Sequence, residues 1–239
     1  IDEINKPEKT ILRKHIPLSN GKYAYYVLTV LGFIISLWAI FRIQAPKLIF
    51  VLLIITFLYW FYSTKYKREF LTGNLAVAFL AFIGVAIVWL YEFFAGISSA
   101  IIPVQNFYTI TKVVLFYSLF SFLLTLVREF IKDIVDIEGD KEFECDTLAI
   151  RLGVKSSKKV IYFIYSILFL GFVPVLQFCI EKEMKYLIVY IVLLIILLAY
   201  SLFKIIKAET KKDFSFISDF IKIVFLAGIL SMQLFSISL

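Results

Sequence analysis

The chain has 239 residues, of which 62% are hydrophobic and 18% aromatic, and it carries a formal charge of +7 with a mean hydropathy of +0.92. A water-soluble domain of this length has no core large enough to hide that much apolar surface, so composition excludes the soluble globular class. The two cysteines, Cys145 and Cys179, fit neither a disulfide framework nor a zinc site, and His15 is the only histidine. Any metal site must therefore use oxygen ligands, which favours Mg²⁺ or another hard cation.

A hydrocarbon core about 30 Å thick takes about 20 apolar residues per helix. In chain order the matching runs are 23–41, 48–64, 70–91, 107–127, 160–180, 186–203 and 214–237. The fourth qualifies if Lys112 snorkels to an interface. The last contains Asp219 and Lys222, whose i, i+3 spacing predicts a local ion pair near one membrane face. The predicted fold is all-α: a polytopic membrane helical bundle with seven transmembrane helices.

Loops between spans alternate sides. One set, at residues 6–22, 65–68, 128–159 and 204–212, holds nineteen of the 25 Lys and Arg residues; the opposite set holds Arg42, Lys47, Lys182 and Lys185. The positive-inside rule puts the first set in the cytoplasm. The predicted location is a multi-pass protein of the cell membrane.

The segment "REFIKDIVDIEGDKEFECD", residues 128–146, holds eight of the eighteen acidic residues and follows an apolar span directly. Read as a continuation of the preceding helix to residue 142, it places Glu129, Asp133, Asp136 and Asp140 on one face and Glu138 and Glu142 on another. Gly139 is expected to loosen or end the helix near Asp140. Two readings remain open. In one, Lys132 pairs with Asp136 and Arg128 with nearby acids to give a solvated polar face. In the other, the carboxylates hold divalent cations shared with a diphosphate ligand. On that second reading the segment 1–19, with Asp2, Asn5, Lys9, Arg13 and Lys14, offers a basic surface for an anionic group, and Lys67 or Arg68 of the segment 65–74 reaches its phosphates. Asn74, just inside the next span, is expected to be a buried amide that needs a partner, which helix packing would supply equally well.

Together these residues resemble the UbiA family of intramembrane prenyltransferases. "IDEINKPEK" is similar to the tail of the family's first aspartate-rich motif through Asp2, Asn5, Pro7 and Lys9, with Thr10 in place of the usual proline. "REFIKDIVDIEGD" resembles the second motif throughout, and "TLAIRLG" at 147–153 follows it with Ala149 in a proline position. Lys67 and the pair Gly73–Asn74 also look like the family. The resemblance implies a single integral-membrane domain over 1–239, with its spans equivalent to helices three to nine of a nine-helix fold. Helices one and two, and the leading residues of the first motif, would then belong to a longer parent protein.

The resemblance further implies Mg²⁺ as cofactor, bound by Asp2, Asp133, Asp136 and Asp140. Asp133, Asp136 and Asp140 would be the catalytic set. Asn5, Lys9, Lys67, Asn74, Arg128 and Lys132 would bind substrate. The implied reaction moves a prenyl group from a prenyl diphosphate to a membrane-associated lipid or aromatic acceptor. The second motif is most similar to that of members acting on geranylgeranylglyceryl phosphate. Aromatic acceptors of quinone, chlorophyll or haem pathways form the alternative. A polytopic transporter and an inactive fragment are readings of a different class. No nucleic-acid partner is expected.

Overall fold

The computed structural model describes residue 11 and residues 15–66, 69–99 and 104–238. Among these the chain is helical and has no β-strand. The helices are α1 (Leu18–Arg42), α2 (Leu48–Thr64), α3 (Thr72–Ser99), α4 (Val104–Val135), α5 (Ile137–Glu142), α6 (Leu148–Glu181), α7 (Lys185–Lys207) and α8 (Lys211–Ser238).

Six of the seven predicted spans fall on helices long and apolar enough to cross a bilayer. The seventh, α2, coincides with the predicted run 48–64 but has only 17 residues. At 1.5 Å per residue it reaches about 25 Å, short of a full hydrocarbon core. The other helices run past their apolar segments, most of all α6 with 34 residues. Apolar character marks what lipid can surround, whereas a helix ends where its capping groups are.

Two compact units divide the chain, 1–119 and 120–239. In the first, α1 packs on α2 and α2 on α3. A small core of Ile40, Ala45 and Leu48 at the α1–α2 turn is covered by Leu90, Tyr91 and Phe94 from α3. Trp89 of α3 donates its indole N–H to Thr111 Oγ1 of α4 at 2.9 Å. Along α1 only Ile40 is buried.

In the second unit α6 packs on α7 and α7 on α8. Buried positions on α7 are Leu187, Ile191, Leu194, Leu198, Ser201 and Ile205. Those on α8 include Phe214, Ile217, Ile221, Val224, Gly228 and Ser231. Both sets alternate steps of three and four residues, the spacing of knobs-into-holes packing between near-parallel axes. Serines and a glycine in the seam let the backbones approach. Two hydroxyl groups tie the layers together. Tyr165 OH lies 2.7 Å from Ser201 Oγ, and Tyr190 OH donates to the Ala227 carbonyl at 3.0 Å.

Three helices end in the same device. After α1, α5 and α6, the amide two residues past the cap donates back to the carbonyl five residues earlier: Ala45 to Ile40, Cys145 to Asp140 and Met184 to Cys179. This is the Schellman motif, which needs a left-handed residue one position before. Here that residue is Gln44, Glu144 or Glu183, with φ of 53°, 52° and 54°. None is glycine, so the usual sequence signal for the motif is missing. What marks it is burial: Ala45, Cys145 and Met184 are all buried against the helix they follow.

Candidate active site

The acid-rich segment is not one continuous helix. It breaks at Asp136 (φ −99°, ψ 7°), and a short second helix runs from Ile137 to Glu142. Val135 and Ile137 are β-branched and flank an aspartate, so three weak helix formers meet at this point. Gly139, expected to loosen or end the helix near Asp140, does not end it there. Gly139 lies inside α5, and the stop comes at Glu142 through the left-handed Glu144. Two backbone hydrogen bonds bracket the break. Asp136 N–H donates to the Lys132 carbonyl at 2.8 Å, and Asp140 N–H to the Asp136 carbonyl at 3.0 Å.

Burial still divides the acids into two sets. Glu129 and Asp140 are buried and Asp133 and Asp136 half-buried, whereas Glu138, Glu142 and Glu144 are exposed. The two sides of the segment thus separate as the spacing predicts.

Glu129 is the organising group. It is only 5% exposed. Its carboxylate accepts from Arg128 Nη1 at 2.9 Å and from Lys132 Nζ at 3.1 and 2.8 Å. Lys132 pairs with Glu129, one turn before it, whereas the aspartate expected to receive it, Asp136, lies one turn after it. A buried carboxylate needs such partners, and two cations on one anion leave the triad net positive. The buried Nε of Arg128 has no hydrogen-bond partner among the described residues. It is an N–H donor available to an anion.

The segment that follows is built into the same unit. Thr147 takes the N-cap position of α6 in extended conformation, and Leu148 and Ala149 are buried beneath it. Gly153 then interrupts α6 with φ 74° and ψ 165°, a region open in practice only to glycine. The helix resumes beyond it, and Ser157 Oγ donates to the Gly153 carbonyl at 2.9 Å. Two further contacts gather the polar end of this unit. Lys158 Nζ donates to the Ile206 and Ala208 carbonyls at 3.0 and 2.8 Å. Lys211 Nζ lies 3.3 Å from Glu138 Oε2. The acid helix α5, the start of α6 and the α7–α8 turn thus share one end, as the sorting of basic loops requires.

Asp2, Asn5, Lys9, Arg13, Lys14, Lys67 and Arg68 lie outside the described residues. Asn74, expected to be a buried amide, is half-buried in the first turn of α3. That turn begins after Leu71, which is held left-handed at φ 59°. Lys112 sits over the Tyr108 ring at 4.2 Å. Asp219 and Lys222 form the expected pair at 2.6 Å.

Among the described residues no three His, Cys, Asp or Glu side chains converge on a point that could hold a metal. A hard cation does not need three. Mg²⁺ keeps several waters and takes one or two carboxylates together with substrate phosphates. Asp136 and Asp140, joined by the hydrogen bond from the Asp140 amide to the Asp136 carbonyl, offer an all-oxygen donor set of that kind, with Asp133 preceding them on α4. The donor chemistry therefore fits Mg²⁺.

A multi-pass helical membrane protein with a carboxylate face beside a cationic triad is the class that these features define. The chain matches the UbiA prenyltransferase family over residues 1–229, and it belongs to that family: it is a prenyltransferase. It is 32% identical to a digeranylgeranylglyceryl phosphate synthase of Methanosphaera stadtmanae, over 98% of this chain and 78% of that protein. It is 29% identical to a protein of the same name from Methanococcus maripaludis, over 95% and 76%. A solved structure described as "Structural and mechanistic insights into the biosynthesis of Digeranylgeranylglyceryl phosphate synthase in membranes" aligns with a TM-score of 0.61. It is 25% identical and covers 96% of this chain and 74% of that one.

Proposed function

We propose that this chain carries the Mg²⁺-dependent prenyl-transfer site of an enzyme that joins a prenyl group to geranylgeranylglyceryl phosphate. The observation that carries the reading is the face shared by Glu129, Asp133, Asp136 and Asp140, with Arg128 and Lys132 fixed on Glu129. The names of the relatives support the acceptor. Residues 1–239 act as one UbiA-type domain in the cell membrane, and the bias of basic residues supports a cytoplasmic position for the motifs.

When bound, Mg²⁺ supplies Lewis-acid stabilisation of charge on the leaving diphosphate. Asp136 and Asp140, with Asp133 and Asp2, are the residues that would hold it. Arg128 and Lys132 place fixed positive charge where the diphosphate gains negative charge as the allylic C–O bond breaks. Glu129 positions both cations in advance, so they need not reorganise during the reaction. Asn5, Lys9, Lys67 and Asn74 complete the anion's hydrogen bonding. The acceptor hydroxyl forms the new C–O bond and releases its proton. The apolar bundle keeps water from the prenyl cation in the meantime.

The test is a prenylation assay on the full-length protein with radiolabelled geranylgeranyl diphosphate and a panel of acceptors. Label is expected in the glyceryl phosphate lipid. Label on an aromatic acid alone would overturn the acceptor assignment.

A further inference from the structure

A second cationic feature lies at the α7–α8 turn. Lys204, Lys207 and Lys212 line a cleft of about 330 Å³ together with Asp213, Phe216 and Ile217. Among the described residues none of the three lysines has a carboxylate within ion-pairing distance; Lys211, next to them, is the one engaged with Glu138. Asp213 is turned to other work. Its Oδ2 accepts from the Glu209 and Thr210 amides and from Thr210 Oγ1, and its own amide donates to Thr210 Oγ1, forming a capping box for α8. The carbonyls at the end of α7 would repel an anion, but Lys158 holds those of Ile206 and Ala208. The cleft therefore sets three lysines around one carboxylate, Asp213, whose field also reaches Lys204, and positive charge predominates in its lining.

Aromatic rings lie beside its lysines. Lys204 Nζ lies 5.5 Å from the Tyr200 ring and 5.8 Å from that of Phe216. Lys207 Nζ is 4.4 Å from the Phe203 ring. From Phe216 an aromatic strip continues along the span through Phe220 to Tyr200, with ring centroids 6.3 and 5.2 Å apart. Phe216, Phe203 and Tyr200 are exposed. A free anion has no use for that strip. A lipid does, because its head meets the lysines while its chains lie along the rings.

We infer that the cleft between the α7–α8 turn and the first turns of α8 docks an anionic phospholipid, a membrane lipid whose phosphate head carries a net negative charge. The site is separate from the carboxylate face of α5 and does not depend on which acceptor the enzyme uses. Generic attraction of surface lysines to an anionic leaflet would spread over every basic residue at this end, including Lys155 and Lys159 on α6. The cleft instead concentrates the preference in Lys204, Lys207 and Lys212.

The test uses the full-length protein in phosphatidylcholine vesicles, with every native tryptophan, Trp38, Trp60 and Trp89 among them, replaced by Phe and Phe216→Trp as reporter. Brominated phosphatidylglycerol and brominated phosphatidylcholine are compared as quenchers at equal mole fraction. A preference of at least about fivefold for the anionic lipid is expected, about the contribution of a single lysine near a membrane surface. It should vanish in Lys204→Gln/Lys207→Gln/Lys212→Gln and persist in Lys155→Gln/Lys159→Gln. Should the triple variant fail to insert, Lys204→Gln and Lys212→Gln singly are each expected to lower the preference, and no change in either contradicts the site. Equal quenching by the two lipids overturns the inference. So does equal loss in the α6 control, which would mean surface charge alone. Abolition of the preference by millimolar inorganic phosphate would assign the cleft to the free anion instead.

Discussion

Lys132 places its ammonium against both carboxylate oxygens of Glu129, at 2.8 and 3.1 Å, on the helix face that also presents Asp133, Asp136 and Asp140. Arg128 reaches the same carboxylate at 2.9 Å. The pair of cations thus has a buried anchor of its own. Removing that anchor should disturb catalysis without touching an aspartate.

Glu129→Gln is expected to raise KM for the prenyl diphosphate and to cost roughly 2 kcal/mol of stability. That is below the roughly 3–5 kcal/mol of a fully buried pair, because both cations are partly solvated. Steady-state kinetics and thermal unfolding in detergent check it. A variant with unchanged KM would mean that Arg128 and Lys132 are held by something else.

Gly153 sits at φ 74° and ψ 165°, and no atom lies within 4 Å of where a methyl group would stand, so backbone strain alone sets the cost of a substitution. Gly153→Ala should lose about 1–3 kcal/mol. Gly84→Ala, in the middle of α3 with the same open space, should instead gain up to about 1 kcal/mol. Opposite shifts in melting temperature are the expected outcome.

Glu183→Gly should stabilise the protein by about 1 kcal/mol, since a left-handed residue with a side chain is strained where glycine is not. A lower melting temperature would show that the Glu183 side chain contributes more than its backbone costs.

Ser201 donates its hydroxyl hydrogen to the Leu198 carbonyl at 2.7 Å, so Tyr165 is the donor in the contact between the two hydroxyls. A double-mutant cycle of Tyr165→Phe and Ser201→Ala should give a coupling of about 0.6 kcal/mol, the average for interhelical hydrogen bonds in membranes. Zero coupling would mean that packing alone joins α6 to α7.

Much of this was legible in the residues. Apolar run length placed the helices, and the i, i+4, i+7, i+11 spacing separated the inward acids from Glu138 and Glu142. Asp219 and Lys222 paired as their spacing required. The break at Asp136 was not legible, because it hangs on one backbone torsion while both flanking hydrogen bonds persist. Neither were the helix stops at Gln44, Glu144 and Glu183. Each depends on a buried residue that follows, not on the glycine that normally announces the turn. The role of Glu129 was visible in principle, since Glu129 and Lys132 are i, i+3. Four acids on one face gave no reason to choose it over Asp136 until burial was known. Lys158 and Lys211 act across 50 and 73 residues of chain, beyond the reach of any local pattern.

Asp136→Asn tests most directly whether the carboxylates flanking the Asp136 break form the diphosphate site. Mg²⁺-dependent release of diphosphate from geranylgeranyl diphosphate is measured on the full-length protein, alongside its abundance in the membrane and its melting temperature. A fall of about 100-fold or more in turnover, with abundance and melting temperature held, is the predicted result. Turnover close to that of the unsubstituted enzyme would contradict it.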